Sequence, residues 1–173
     1  MTTASEPLLP LGRADLERAR AEGRVTVLQA GGWRRPDVVL VPTRGSPVVV
    51  KDFTPMAGLL RVTLGRWLAA REIRAYRSLA GLRHVPCLLG RLDADAFALE
   101  HRPGTRLSRQ LAGSIPRDFM SRLEGAVRAM HTRGVVHLDL RHRSNVLVDA
   151  DGEPVLIDFA SALCLRARGR PGR

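Results

Sequence analysis

Apolar residues in this chain change their spacing from one stretch to the next, and no all-helical or all-strand fold accommodates the change. Residues 25–28, 38–41 and 48–50 are short continuous apolar runs, separated by Gly31-Gly32 and by Thr43-Arg44-Gly45-Ser46-Pro47. Runs of that length between turn residues read as a three-strand antiparallel meander. From 66 to 79 the period becomes helical: Trp67, Leu68, Ile73, Tyr76 and Leu79 share a face, and Gly81 ends the segment. Two more strands, 87–92 and 96–100, follow around the acidic turn Asp93-Ala94-Asp95, and Pro103-Gly104 breaks the chain. The class is therefore α+β, with five antiparallel strands and one helix before that break.

The remainder continues the alternation. A short polar helix is expected near Leu107, then a longer one over 116–133, where Phe119, Leu123, Val127 and Met130 recur every three or four residues and Gly134 supplies the cap. A tight hairpin follows, 146–148 and 155–159 around Asp149-Ala150-Asp151-Gly152. Ahead of the strands, residues 1–12 read as an extended lead-in and 14–22 as a short helix closed by Gly23. The expected organisation is an extension with its helix (1–23), a strand-rich lobe (24–103), a partial helical lobe (104–165) and a disordered basic tail (166–173).

Composition narrows the function classes. With 173 residues, 45% of them hydrophobic, the chain can bury a core. Its net charge of +11 suits anionic partners, but the arginines are scattered through nearly every segment, so a solvated surface explains most of them. Aromatic residues make up only 4%, and none interleave with a basic sheet, so no nucleic acid partner is expected. Cys87 and Cys164 lack metal-type spacing and give no disulfide framework. No signal peptide or membrane-spanning stretch is legible, which fits a cytoplasmic protein. Arg166, Arg168, Arg170 and Arg173 would suit a peripheral contact with the anionic surface of the inner membrane, although Gly169, Pro171 and Gly172 favour plain disorder.

Among 28 basic residues Lys51 is the only lysine. A chain that uses arginine almost everywhere has kept one compact ammonium, directly after Val48-Val49-Val50, where it reads as an inward charge on a buried strand. That setting suits a lysine that holds nucleotide phosphates; a surface lysine on an edge strand is the plain alternative. Asp139, Asn145 and Asp158 form a second constellation. The hairpin puts Asn145 at the start of one strand and Asp158 at the end of its partner, and hard oxygen donors of this kind suit magnesium, which is held by few carboxylates plus substrate phosphates. Turn capping by the local backbone is the competing explanation.

Taken together, these residues resemble the protein-kinase-like superfamily over about residues 25–165. The marks are His137-Leu138-Asp139 with Asn145 as the catalytic loop, Asp158-Phe159-Ala160 in place of Asp-Phe-Gly, Lys51 on the third strand and Glu72 on the following helix. Leu99-Glu100-His101-Arg102-Pro103-Gly104 looks like the hinge between lobes, and His84-Val85-Pro86 like the entry to the fourth strand. Residues 130–140 are most similar to small bacterial kinases related to lipopolysaccharide core-sugar (3-deoxy-D-manno-octulosonic acid/heptose) kinases and to RIO-type kinases. The resemblance implies a two-lobed fold with a truncated helical C-lobe and an ATP- and magnesium-dependent phosphotransferase acting on a hydroxyl of a sugar, a lipopolysaccharide core or a protein Ser/Thr.

The same resemblance implies the roles. Lys51 would hold the α and β phosphates, oriented by Glu72; Asn145 and Asp158 would hold magnesium. Asp139, in the loop opened by His137, would accept the acceptor's proton. Gly31 and Gly32 would cradle phosphate, and Glu100, His101 and Arg102 would meet the adenine. Arg141 and Arg143 would face either an anionic acceptor or solvent. Three departures qualify this pattern. Residues 31–36 carry only two glycines, Asp139 and Asn145 are six residues apart instead of five, and the chain ends at Arg173, 15 residues past Asp158. An uncovered apolar surface around Phe159, Leu163 and Leu165 is expected from the last of these, with a homo-oligomer or partner to cover it. The alternative to an active kinase is a catalytically weak nucleotide-binding or scaffold module.

Overall fold

The computed structural model describes residues 11–111 and 113–165, so the expected lead-in over 1–10 and the basic tail lie outside the described residues. The protein is α+β. Its largest element is a five-stranded antiparallel sheet of β1 (Thr26–Gln29), β2 (Asp37–Val41), β3 (Val48–Asp52), β4 (Leu88–Arg91) and β5 (Ala96–Glu100), in the order β1-β2-β3-β5-β4. Two compact units divide the chain. Described residues up to Ala70 together with Cys87–His101 form the first, and Arg71–Pro86 together with those from Arg102 onward form the second.

In the first unit α1 (Arg13–Ala21) lies on one face of the sheet. Leu16 and Ala19 pack on Val39, Val41, Val48, Val50, Ala96 and Ala98, and each fully buried valine there contributes about 2 kcal/mol. The helix before the first strand, expected as part of an N-terminal extension, is thus part of the core. Side chains alternate across a strand, so Val48, Val50 and Asp52 face α1 while Val49 and Lys51 take the other face. The long helix α3 (Arg66–Ser78) starts where expected, but a helical lead not expected from the sequence, α2 (Gly58–Leu60) and a π-helical turn (Arg61–Gly65), runs into it. Gly58, Gly65 and β-branched Val62 and Thr63 weaken the helical signal in that lead.

The second unit holds α4 (Phe119–Thr132) and two small antiparallel sheets. One comprises β6 (Thr105–Arg106), β8 (Val146–Val148) and β9 (Pro154–Leu156), and the other β7 (Val135–Val136) and β10 (Leu163–Cys164). The expected helix near Leu107 is instead the β6 strand followed by a 3-10 turn, Arg109–Leu111. The Leu107 N–H donates to the Val146 carbonyl (2.8 Å), which holds the segment extended along β8. Gly134 closes α4 at φ +72°, and an added Cβ would stand 2.9 Å from the Leu165 carbonyl oxygen. Only glycine meets both conditions.

Leu163 and Leu165 are exposed, as expected, but Phe159 is not. Its ring is fully buried, edge-on to Tyr76 (5.0 Å between centroids) and 4.7 Å from the His137 ring. Neither cysteine is in a disulfide, and among the described residues no helix is long and apolar enough to cross a membrane.

Candidate functional site

In the second unit, the turn from β7 into β8 carries His137, Asp139 and Asn145. His137 is buried and both ring nitrogens are engaged. Nε2 donates to the Ile157 carbonyl (2.9 Å), and Nδ1 accepts the Asp139 N–H (3.3 Å). A carbonyl can only accept, so the proton sits on Nε2. His137 is therefore a positioning residue that ties the Asp139 backbone to the residue preceding Asp158.

Between them, Leu138 takes φ +63°, and Asp158 takes φ +62° with ψ +71°. Left-handed backbone at a bulky non-glycine residue is uncommon and costs on the order of 1 kcal/mol, and such strain concentrates at functional turns. Leu138 is exposed, so it gains no core contact in return. The conformation serves to turn Asp139.

Asn145 sits in a 3-10 turn (Arg143–Asn145) that leads into β8. Its Nδ2 donates to the Asp139 backbone carbonyl (3.0 Å) and to Asp139 Oδ2 (3.2 Å), which leaves Oδ1 as the atom for a further partner. The Ile157 N–H donates to the Asn145 carbonyl (3.0 Å), extending the ladder in which Val146 pairs with Leu156. Asn145 and Asp158 thus leave the hairpin at the same end. Asp139 keeps its remaining oxygen near solvent, where among the described residues Arg141 Nε at 3.9 Å and His142 Nε2 at 3.5 Å are the basic groups that approach it.

Glu72 and Tyr76 belong to the part of α3 that falls in this unit, and both are buried. Burial pushes the Tyr76 hydroxyl well above its ordinary pKa; the negative charges of Glu72 and Asp158 add to this, and a hydrogen bond from the Asp158 backbone opposes it. Tyr76 is the chain's one tyrosine. Arg71, not identified from the sequence, donates to the Ser161 (2.6 Å) and Ala162 (2.7 Å) carbonyls, pinning the turn that follows Asp158. Nothing in a chain of 27 arginines singles it out.

In the first unit Lys51 lies at the centre of the sheet, paired with Val38 on β2 and Phe97 on β5, and is 7% exposed. Its side of the sheet is opposite α1. The Gly31-Gly32 turn is closed rather than cradle-like. The Gly31 N–H donates to Asp37 Oδ1 (2.6 Å) and the Gly32 N–H to the Arg35 carbonyl (3.0 Å). A Cβ on Gly31 would come within 2.6 Å of the Asp37 nitrogen, so that glycine answers to local packing. With both N–H groups taken and a carboxylate beside them, neither residue presents an open phosphate donor.

The strand ladder ends where Glu100 pairs with Val48. The Glu100 carboxylate accepts the Cys87 N–H (3.0 Å), His101 follows outside any strand, and Arg102, in the second unit, donates to the Arg83 carbonyl (3.2 Å). His84 docks on β9: it donates to the Pro154 carbonyl (3.0 Å) and its own carbonyl accepts the Leu156 N–H (2.8 Å).

Among the described residues no three His, Cys, Asp or Glu side chains are grouped as a metal site. Asn145 Oδ1 and the Asp158 carboxylate are hard oxygen donors, few in number. That set fits magnesium, which completes its shell with phosphate oxygens and water, and does not fit zinc.

No family model matches the chain. It is similar to the probable SapB synthase of Streptomyces coelicolor (strain ATCC BAA-471 / A3(2) / M145), with 31% identity over 148 residues that cover 73% of this chain and 16% of that protein. The chain spans about a sixth of the length of the relative it matches.

Proposed function

We propose that this chain is a protein-kinase-like phosphotransferase, two-lobed in the sense of that superfamily, which moves the γ-phosphate of ATP to a hydroxyl of a sugar, a lipopolysaccharide core or a protein Ser/Thr. One observation carries the reading: Asn145 Nδ2 holds both the backbone and the carboxylate of Asp139, while His137 ties that backbone to the residue before Asp158. A proton acceptor is thereby held at fixed register to two hard oxygen donors, which phosphoryl transfer requires and a capped turn does not.

In this reading Lys51 grips the α and β phosphates as a compact cation, Glu72 keeps the role the resemblance gives it, and the hinge around Glu100, His101 and Arg102 meets the adenine. Asn145 and Asp158 would hold magnesium, which when bound neutralises charge developing on the phosphates. Asp139 orients the acceptor hydroxyl and takes its proton as the oxygen bonds to the γ-phosphorus and the bond to the ADP oxygen breaks. That the relative is named a synthase is compatible with a phosphoryl-transfer step inside a larger synthesis. The closed Gly31-Gly32 turn favours a second reading, a nucleotide-binding module of weak or no activity.

Thermal unfolding with ATP tests the site. Magnesium and ATP together should raise the melting temperature, because a ligand that binds the native state stabilises it by mass action; Lys51→Met and Asp158→Asn should each diminish the rise. An equal response in all three proteins would overturn the assignment, and transfer of labelled phosphate separates the active from the inactive reading.

A further inference from the structure

The outward side of the helix that leads into α3 is apolar where a soluble helix is polar. Residues 53–71 contain no acidic side chain and three arginines, of which Arg61 and Arg66 pair with Asp95 (3.8 and 2.9 Å). Along this stretch the solvent side is formed by Ala57, Gly58, Leu59, Val62, Thr63, Leu64, Arg66 and Trp67. Leu59 is 80% exposed, Val62 45% and Trp67 55%, and these stand within nine residues of one another on one helical stretch.

The β1–β2 turn extends this surface. The Ala57 N–H donates to the Trp33 carbonyl (3.1 Å), so the turn is fastened to the residue just before the helix, and Trp33 is itself 60% exposed. Arg34 stacks on the Trp33 ring at 4.2 Å, and among the described residues neither it nor Arg35 has an ion pair. Both tryptophans of the chain are thus more than half exposed, on a unit that also exposes Leu59 and Val62 and the guanidinium groups of Arg34 and Arg35. Contiguous apolar surface with tryptophan on it marks a docking face, and the charge around it decides the partner. Arg34 and Arg35, without a carboxylate partner among the described residues and next to an indole ring, match the headgroup boundary of an anionic bilayer, where tryptophan and arginine are both favoured.

We propose that Trp33, Arg34, Leu59, Val62 and Trp67 form a peripheral docking face for an anionic lipid bilayer. This inference does not rest on phosphotransfer. Because Trp33 and Trp67 are the only tryptophans, intrinsic fluorescence reports the face directly.

With vesicles of phosphatidylglycerol mixed into phosphatidylcholine, a blue-shifted emission and co-sedimentation are expected, both weaker with phosphatidylcholine alone. The double variant Leu59→Glu, Val62→Glu should lower partitioning by about tenfold or more, while cooperative unfolding shows that it still folds. Absence of binding to anionic vesicles would overturn the proposal. So would undiminished binding by the double variant, which would place the attraction in arginines elsewhere. Should vesicles have no effect while the variant abolishes concentration-dependent self-association, the face belongs to a second copy and the bilayer is refuted.

Discussion

Asp52 and Asp139 show two uses of an aspartate, one in each unit. Asp52 is wholly buried on the α1 side of β3, directly opposite Asp37 on β2. Two carboxylates facing each other across a ladder repel, and the repulsion is relieved by Arg20, which reaches Asp52 at 2.9 Å and Asp37 at 3.1 Å, with Arg13 adding a bond to Asp52 at 3.0 Å. Thr54 fills the other Asp52 oxygen through its N–H (3.1 Å) and hydroxyl (2.8 Å). Asp139 is a third exposed, stands on backbone distorted at Leu138, and has its charge only loosely approached by cations. A fully satisfied carboxylate is a fastening; one held in place by neutral donors with its charge unspent is available for chemistry.

Substitutions that remove only charge separate the two. Asp139→Asn keeps an oxygen for Asn145 and should cost about 10² to 10⁴ in turnover while changing stability by less than about 0.5 kcal/mol, measured by labelled-phosphate transfer and thermal unfolding. Full activity in that variant would break the distinction. Asp52→Asn should do the reverse. It leaves Arg13 and Arg20 facing a neutral amide and should destabilise by about 3 kcal/mol in denaturant titration, with catalytic constants of the surviving folded fraction unchanged.

Titration sharpens the contrast with smaller effects. Burial pushes the Asp93 carboxyl up, but the hydrogen bond from Arg13 and those from the backbone outweigh it, so its folded pKa is lowered. That contribution is present above the ordinary carboxylate value, about 3.9, and disappears as pH falls through the folded value. For Tyr76, raised by burial and by Glu72 and Asp158, the contribution is present below about 10 and is lost as pH rises. Melting temperature against pH should therefore lose part of its acid limb in Asp93→Asn and part of its alkaline limb in Tyr76→Phe. Smallest of all, Arg128→Ala breaks an exposed helical pair with Glu124 and should cost about 0.4 kcal/mol.

The strands of the large sheet and their order of appearance were legible in the sequence because turn residues punctuate them; the hairpin before Asp158 also appears, though its second strand stops at Leu156 and Asp158 follows it in left-handed backbone. What escaped depends on partners distant in sequence. The arginines of α1 are intelligible only once Asp52 and Asp93 are beside them, and β6, β7 and β10 have two residues each, too few for a period. The expectation that Phe159 would be uncovered failed because Tyr76 and His137 cover it from within the same unit. Gly31-Gly32 suggested a phosphate cradle by composition alone, whereas the direction of each N–H is settled by its partner, Asp37 for Gly31 and the Arg35 carbonyl for Gly32.

The position of β5 between β3 and β4 has a consequence for a chain emerging from the ribosome. Until Ala96–Glu100 is made, β3 is the open border of a three-strand meander, and Val48-Val49-Val50 offer unpaired backbone along an apolar ribbon. Such a border recruits strands from neighbouring nascent chains. Lys51 and Asp52, at the end of that ribbon, are the only charges on β3, and charges flanking an apolar strand oppose such pairing. The two charges that close β3 thus stand where the unfinished sheet is most open to pairing with its copies.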